Sequence, residues 1–122
     1  MYAVVRHYST PPDAVEAMIS AVDDEFADRV PQEVGAALYT AVDTGGGTAT
    51  TITVYADEQA AVRSEAAVAA LQQNLGERFG VKEIAAHRGE VVVSRASDAI
   101  ARPVRFRGQL SPTEPGGLAS PP

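Results

Sequence analysis

The sequence has 122 residues, with ten Lys and Arg against sixteen Asp and Glu, two histidines, no cysteine and no tryptophan. That length suits one compact domain of roughly 100 residues plus an appendage, and a formal charge of −6 argues against a broad attraction to nucleic acid. Without cysteine there is no disulfide framework, thiolate nucleophile or cysteine-based metal site. His7 and His87 are too distant in sequence to specify a metal geometry, so no metal site is expected.

In chain order, the opening MYAVVRHYST contains no apolar span long enough for a signal peptide or a membrane helix. A soluble, cytoplasmic protein with no membrane partner is the expectation. Tyr2–Tyr8 reads as a first strand, with Ala3, Val5 and His7 on one side and Tyr2, Val4, Arg6 and Tyr8 on the other. Neither side is wholly polar, which predicts that both are at least partly covered. Ser9-Thr10-Pro11-Pro12 breaks the strand, with Thr10 a candidate helix cap. Asp13–Arg29 then carries Val15, Met18, Ile19, Val22 and Phe26 at the spacing of one helical face, and Pro31 is expected to end it.

AALYTAV reads as a second strand, with Leu38, Thr40 and Val42 opposite Ala37, Tyr39 and Ala41. Asp43-Thr44-Gly45-Gly46-Gly47 is the strongest turn signal in the chain, because glycine permits the positive φ angles of a tight hairpin. In the third strand, Thr50, Ile52 and Val54 oppose Thr51, Thr53 and Tyr55. The period changes at Ala56/Asp57, where a short acidic side chain can cap a long helix that stops at Gly80. That helix presents Ala61, Val68, Leu71, Leu75 and Phe79 along one stripe, with Glu58, Arg63, Gln72 and Glu77 expected to face solvent. Val81–His87 is ambiguous, and the VVV of Glu90–Arg95 is taken as the final strand.

The order β-α-β-β-α-β predicts a ferredoxin-like α+β domain over residues 1–95, with two helices packed on one face of a small sheet. Apolar residues on the other face suggest a second copy, so that two sheets close into a dimeric α/β barrel and shelter a cavity. Residues 96–122 are rich in Pro, Gly and Ser and read as a flexible tail or an interface arm. Arg102, Arg105 and Arg107, interrupted by Val104 and Phe106, could add a short strand or clamp an acidic partner surface.

Together VDTGGGT, ITVYADEQAAVRSEAAVAAL and RGEVVVS resemble the antibiotic-biosynthesis monooxygenase-like branch of dimeric α/β barrels, over roughly residues 1–95. The resemblance implies a homodimer with a pocket between the sheet and its helices or within the interface. In some members it implies oxidation of aromatic compounds without a metal or tightly bound flavin, so no cofactor is expected; related barrels bind haem or serve other small-molecule roles. Ser64 and Glu65 resemble the family's semi-invariant serine and the polar residue after it, and Gly89-Glu90 its final-strand opening, matches that imply structural roles. The tryptophan used by several characterised oxygenases of this kind, and by haem-degrading relatives, is missing.

The residue chemistry names five site candidates. Arg6 supplies a rigid fork of donors for a carboxylate or phenolate, and His7 a base near neutral pH. These two are the catalytic candidates, although strand alternation sets His7 opposite Arg6 and Tyr8. Tyr8, Tyr39 and Tyr55 are the ligand-binding candidates, able to line an aromatic pocket and hydrogen-bond a polar edge. Two readings stand. One is a small-molecule-binding dimeric barrel of the monooxygenase-like kind, acting on an aromatic or enolic compound. The other is a noncatalytic binding or homodimeric assembly module.

Overall fold

The computed structural model describes residues 1–106. Strands β1 (Tyr2–Ser9), β2 (Ala36–Gly45), β3 (Thr48–Tyr55) and β4 (Lys82–Glu90) form one sheet in the order β2-β3-β1-β4, and every pairing is antiparallel. Helical segments join β1 to β2, and α3 (Glu58–Phe79) joins β3 to β4. This is the ferredoxin-like α+β topology expected of the strand and helix order.

The register fixes which side chains meet the helices. Tyr2 pairs with Tyr55, Val4 with Thr53, Arg6 with Thr51 and Tyr8 with Ala49, so these residues share one face. There Tyr2, Val4 and Tyr55 pack with Phe26, Val30, Val34, Ala60 and Ala61 as the core. Val4 and Tyr55 are the largest fully buried side chains. The opposite face carries Val5, His7, Ile52 and Val54, all only half-buried.

The first crossing departs from the single helix expected over Asp13–Arg29. A 3-10 turn (Pro12–Ala14) leads into α1 (Val15–Ala21), a π turn (Val22–Phe26) and α2 (Arg29–Val34). The π turn is closed by Ala27 N–H donating to the Val22 carbonyl at 2.8 Å. Its extra residue resets the helical phase, so that Val15, Met18 and Ala21 before it, Phe26 at its end, and Val30 and Val34 after it are all buried. Pro31 does not end this segment. It falls in the first turn of α2, where no N–H is required, and Gly35 in a left-handed conformation ends it. Thr10 is not the cap either: the Pro11 carbonyl accepts from Ala14 N–H at 2.8 Å, and the buried Thr10 hydroxyl has no partner among the described residues.

The other signals act as their chemistry predicts. Asp57 caps α3, its Oδ1 accepting from Ala60 N–H at 2.8 Å, a contact worth about 1 kcal/mol. Gly80 ends α3 in a left-handed conformation. Gly46 and Gly47, at φ 62° and 82°, turn the β2–β3 hairpin.

The final strand differs from expectation. β4 is Lys82–Glu90, and VVV lies beyond it with no strand assigned. Tyr2, the first residue of β1, pairs with Glu90. One further bond, from Val91 N–H to the Met1 carbonyl at 2.9 Å, continues the ladder. The residues after it have no neighbour on β1. Among the described residues no helix is long and apolar enough to cross a membrane.

Candidate functional site

A cavity of about 830 Å³ lies between the helix-facing side of the sheet and the helices above it. Met18, Phe26, Val68, Leu71 and Leu75 supply much of its apolar wall. Its polar side comes from β1 and β2, where Arg6, Tyr8 and Tyr39 project toward the helices. A bulge in β2 between Ala36 and Leu38 aligns Tyr39 with Thr53, on the same face as Arg6.

Arg6 is 8 % exposed, and its Nε lies 3.3 Å from Glu83 Oε2 on β4. A second bulge brings that carboxylate there. His7 pairs with Ala85 but Tyr8 with Glu83, which leaves Ile84 as the extra residue and turns Glu83 to the helix-facing side. Gln72 of α3 completes the cluster, its Nε2 donating to the Tyr8 hydroxyl at 2.9 Å and to Glu83 Oε2 at 2.6 Å. Among the described residues the terminal nitrogens of Arg6 and the hydroxyl of Tyr39 have no hydrogen-bond partner. None of these atoms is both buried from solvent and unpaired, a state that Thr10 Oγ1 shows among the described residues, so they remain reachable donors on the cavity side.

The two tyrosines hold their protons strongly. Burial pushes the Tyr39 hydroxyl up to about 12, with the neighbouring Tyr8 adding to the shift and Arg6 opposing it. Burial also raises Tyr8, against the lowering effects of its bond from Gln72 and the charge of Arg6. At neutral pH both are hydroxyl groups able to donate. Arg6, Tyr8 and Tyr39 thus form a donor-rich patch beside an apolar wall, suited to an oxygen atom that carries or develops negative charge.

The remaining candidates lie apart from this patch. His7 is on the opposite, helix-free face, its Nδ1 3.0 Å from the Thr50 hydroxyl, and its ring is edge-to-face with that of His87 at 5.9 Å. Within one subunit the fold does not bring His7 and Arg6 into one site. Tyr55 borders the cavity but is fully buried, and its hydroxyl is 2.9 Å from that of Ser64. Ser64 donates to the Ala61 carbonyl at 2.7 Å, which leaves its oxygen to accept the Tyr55 proton. Ser64 therefore makes a helix-to-strand contact, and Glu65 beside it pairs with Arg88 of β4 at 3.0 Å. Among the described residues no three of His, Asp and Glu gather to hold a metal ion.

Gln72 and Glu83 escaped the sequence reading. Gln72 was expected to face solvent, yet it sits four residues after Val68 and three before Leu75, a spacing that places it on the inward stripe. Glu83 carried no such signal, because its direction depends on the β4 bulge. Residues 99–106 also line the cavity, and Arg105 Nε reaches both carboxylate oxygens of Asp23 at 3.0 and 3.2 Å. Arg105 thus meets an acidic turn of its own chain, whereas the sequence had offered a partner's acidic surface for it. Arg107 lies outside the described residues.

No protein-family model and no curated protein matches the sequence. Solved structures do match in fold. A dimeric ferredoxin-like protein from an uncultured marine organism is similar at a TM-score of 0.63 and 10 % identity, over 80 % of this chain and 100 % of that one. A Deinococcus radiodurans protein provisionally named an antibiotic biosynthesis monooxygenase is similar at a TM-score of 0.60 and 16 % identity, over 80 % of this chain and 98 % of that one. At these identities the likeness establishes the ferredoxin-like fold, shared with an antibiotic-biosynthesis-monooxygenase-like structure.

Proposed function

We propose that this protein is a homodimeric barrel that binds a small aromatic or enolic compound in the cavity between sheet and helices. The observation that carries the reading is Arg6, a guanidinium on the cavity wall anchored through Nε by Glu83, set beside two protonated tyrosines and an apolar wall. The apolar wall suits a planar ring, and the donors suit its oxygen substituent. The half-buried apolar face formed by Val5, Ile52 and Val54 is the surface that meets the second copy, and the dimeric ferredoxin-like structural neighbour supports that assembly.

A second reading is cofactor-independent oxygenation, favoured by the same donors, which stabilise an enolate as it forms. The substrate supplies all four electrons in R₂CH₂ + O₂ → R₂C=O + H₂O, so that one oxygen atom is retained and the other leaves as water. Against catalysis, the carboxylates lining the cavity are engaged. Asp23 is held by Arg105, and Asp43 accepts from Gly45 N–H at 3.1 Å. Binding is the better-supported role.

Equilibrium titration with 1,3-dihydroxynaphthalene tests the pocket. Saturable binding is expected, weakened about tenfold in Arg6→Met through loss of a charge-assisted hydrogen bond. Equal affinity in the two proteins removes Arg6 from the site. An oxygen electrode run on the same mixture separates binding from turnover.

A further inference from the structure

Beyond β4 the chain does not simply leave the domain. Residues 91–97 have no regular secondary structure and lie largely outside the packed body, with Val92 86 % and Val93 75 % exposed. A 3-10 turn at Asp98–Ala101 follows, and every residue from Ala99 to Phe106 lines the cavity. This stretch covers the cavity without joining the sheet. Its described backbone bonds are internal, from Ile100 N–H to the Ser97 carbonyl at 3.1 Å and from Arg102 N–H to the Ala99 carbonyl at 3.2 Å.

Among the described residues, an ion pair ties the stretch to the domain: Arg105 to Asp23. Asp23 is mostly covered, at 13 % side-chain exposure, whereas Arg105 is half exposed. Asp23 sits on the π turn, and Asp24 and Asp28 beside it add to the negative field that holds the arginine. A segment with no shared backbone ladder and one water-accessible ion pair belongs to the low-stability end of a fold, where local opening is cheap. The cavity wall opposite it is carried by the sheet and by α3, elements with continuous backbone bonding.

We propose that residues 98–106 are a hinged strap that closes the cavity, and that release of Asp23 by Arg105 is the step that admits and discharges ligand. This rests on reading the cavity as a ligand site. The exposed 91–97 stretch serves as the hinge, and the acidic π turn as the catch. Closure shields the Arg6, Tyr8 and Tyr39 donors from water and slows exchange in both directions, so weakening the catch changes rates more than affinity.

Full-length wild type, Arg105→Ala and Asp23→Asn are compared in two ways. Hydrogen exchange needs no ligand: amides of residues 98–106 are expected to exchange faster in both variants, with β1 and β3 unchanged. Equal exchange across the three proteins overturns the catch. Stopped-flow mixing with the fluorescent anion 8-anilinonaphthalene-1-sulfonate is expected to show association and dissociation both accelerated about threefold, the scale set by a half-exposed ion pair. Because the sequence has no cysteine, Asp23→Cys/Arg105→Cys can be joined by a cleavable bismaleimide. The joined protein is expected to exchange the probe far more slowly until the linker is cut, and free exchange in the joined form overturns closure. Failure of the probe to bind any of these proteins overturns the ligand reading itself, while hydrogen exchange still decides whether Arg105 holds the strap.

Discussion

Tyr55 has no exposed surface, so its hydroxyl must find a partner inside the protein. Ser64 provides it by giving its own proton to the Ala61 carbonyl and accepting the one from Tyr55. Ser64→Ala leaves a buried hydroxyl unpaired and is expected to cost about 1–3 kcal/mol in denaturant unfolding. Adding Tyr55→Phe in that background should recover part of the loss, because the stranded polar atom is then gone. Tyr39 makes a different prediction. Its hydroxyl titrates near 10 in the unfolded chain and about 12 when folded, so the folded state binds more protons between those values. Its contribution to stability is complete below pH 10 and falls away as pH rises toward 12. Melting temperatures followed from pH 9 to 12 should therefore fall less steeply in Tyr39→Phe than in wild type.

At the scale of elements, the β2–β3 hairpin is the most tightly specified piece of backbone. Gly47 has φ 82°, and a Cβ there would sit 2.5 Å from the Thr10 carbonyl oxygen. Its own carbonyl accepts from Thr10 N–H at 2.7 Å, so the hairpin is pinned against the end of β1. Gly47→Ala is expected to destabilise by about 1–3 kcal/mol through backbone strain alone, with the contact adding to it; an unchanged chemical-denaturation midpoint would contradict the assignment. The helical crossing before β2 is specified less by its caps than by burial. Its π turn lets two apolar stripes of different phase face one core, and it sets Asp23 where Arg105 can reach. A β-bulge does the same service for Glu83, so two irregularities place two of the charged groups around the cavity.

The whole molecule presents one sheet face without helices. A single charge at its centre should matter little to a monomer and much to a dimer, since Ile52 is half-buried in the isolated chain. Sedimentation velocity is expected to show a dimer for wild type and a monomer of preserved circular dichroism for Ile52→Asp. A wild-type monomer at high micromolar concentration would remove the second copy from the proposed function. His7 and His87 lie on this face, so the histidine that sequence chemistry offers as a base belongs with the proposed assembly surface rather than with the donors of one subunit.

Period and punctuation carry local information, and here they were enough for the order of elements, the hairpin glycines, the Asp57 cap, the Gly80 stop and the sharing of one face by Arg6 and Tyr8. Each of these depends on side-chain alternation, φ preference or a hydrogen bond three residues away, all legible along the chain. Pairing was not legible. The Val run has the greater strand propensity, but Lys82–Glu90 became β4 because that stretch lies beside β1, and strand propensity is overridden by what a strand can pair with. The same holds for the site. Tyrosine and arginine announced themselves as candidates, whereas the direction of Glu83, the alignment of Tyr39 with Arg6 and the strap over the cavity depend on bulges, a π turn and contacts between residues far apart in sequence. Such contacts exist only once the chain has closed on itself, so the tertiary structure alone decided which of the chemically able residues face the same space.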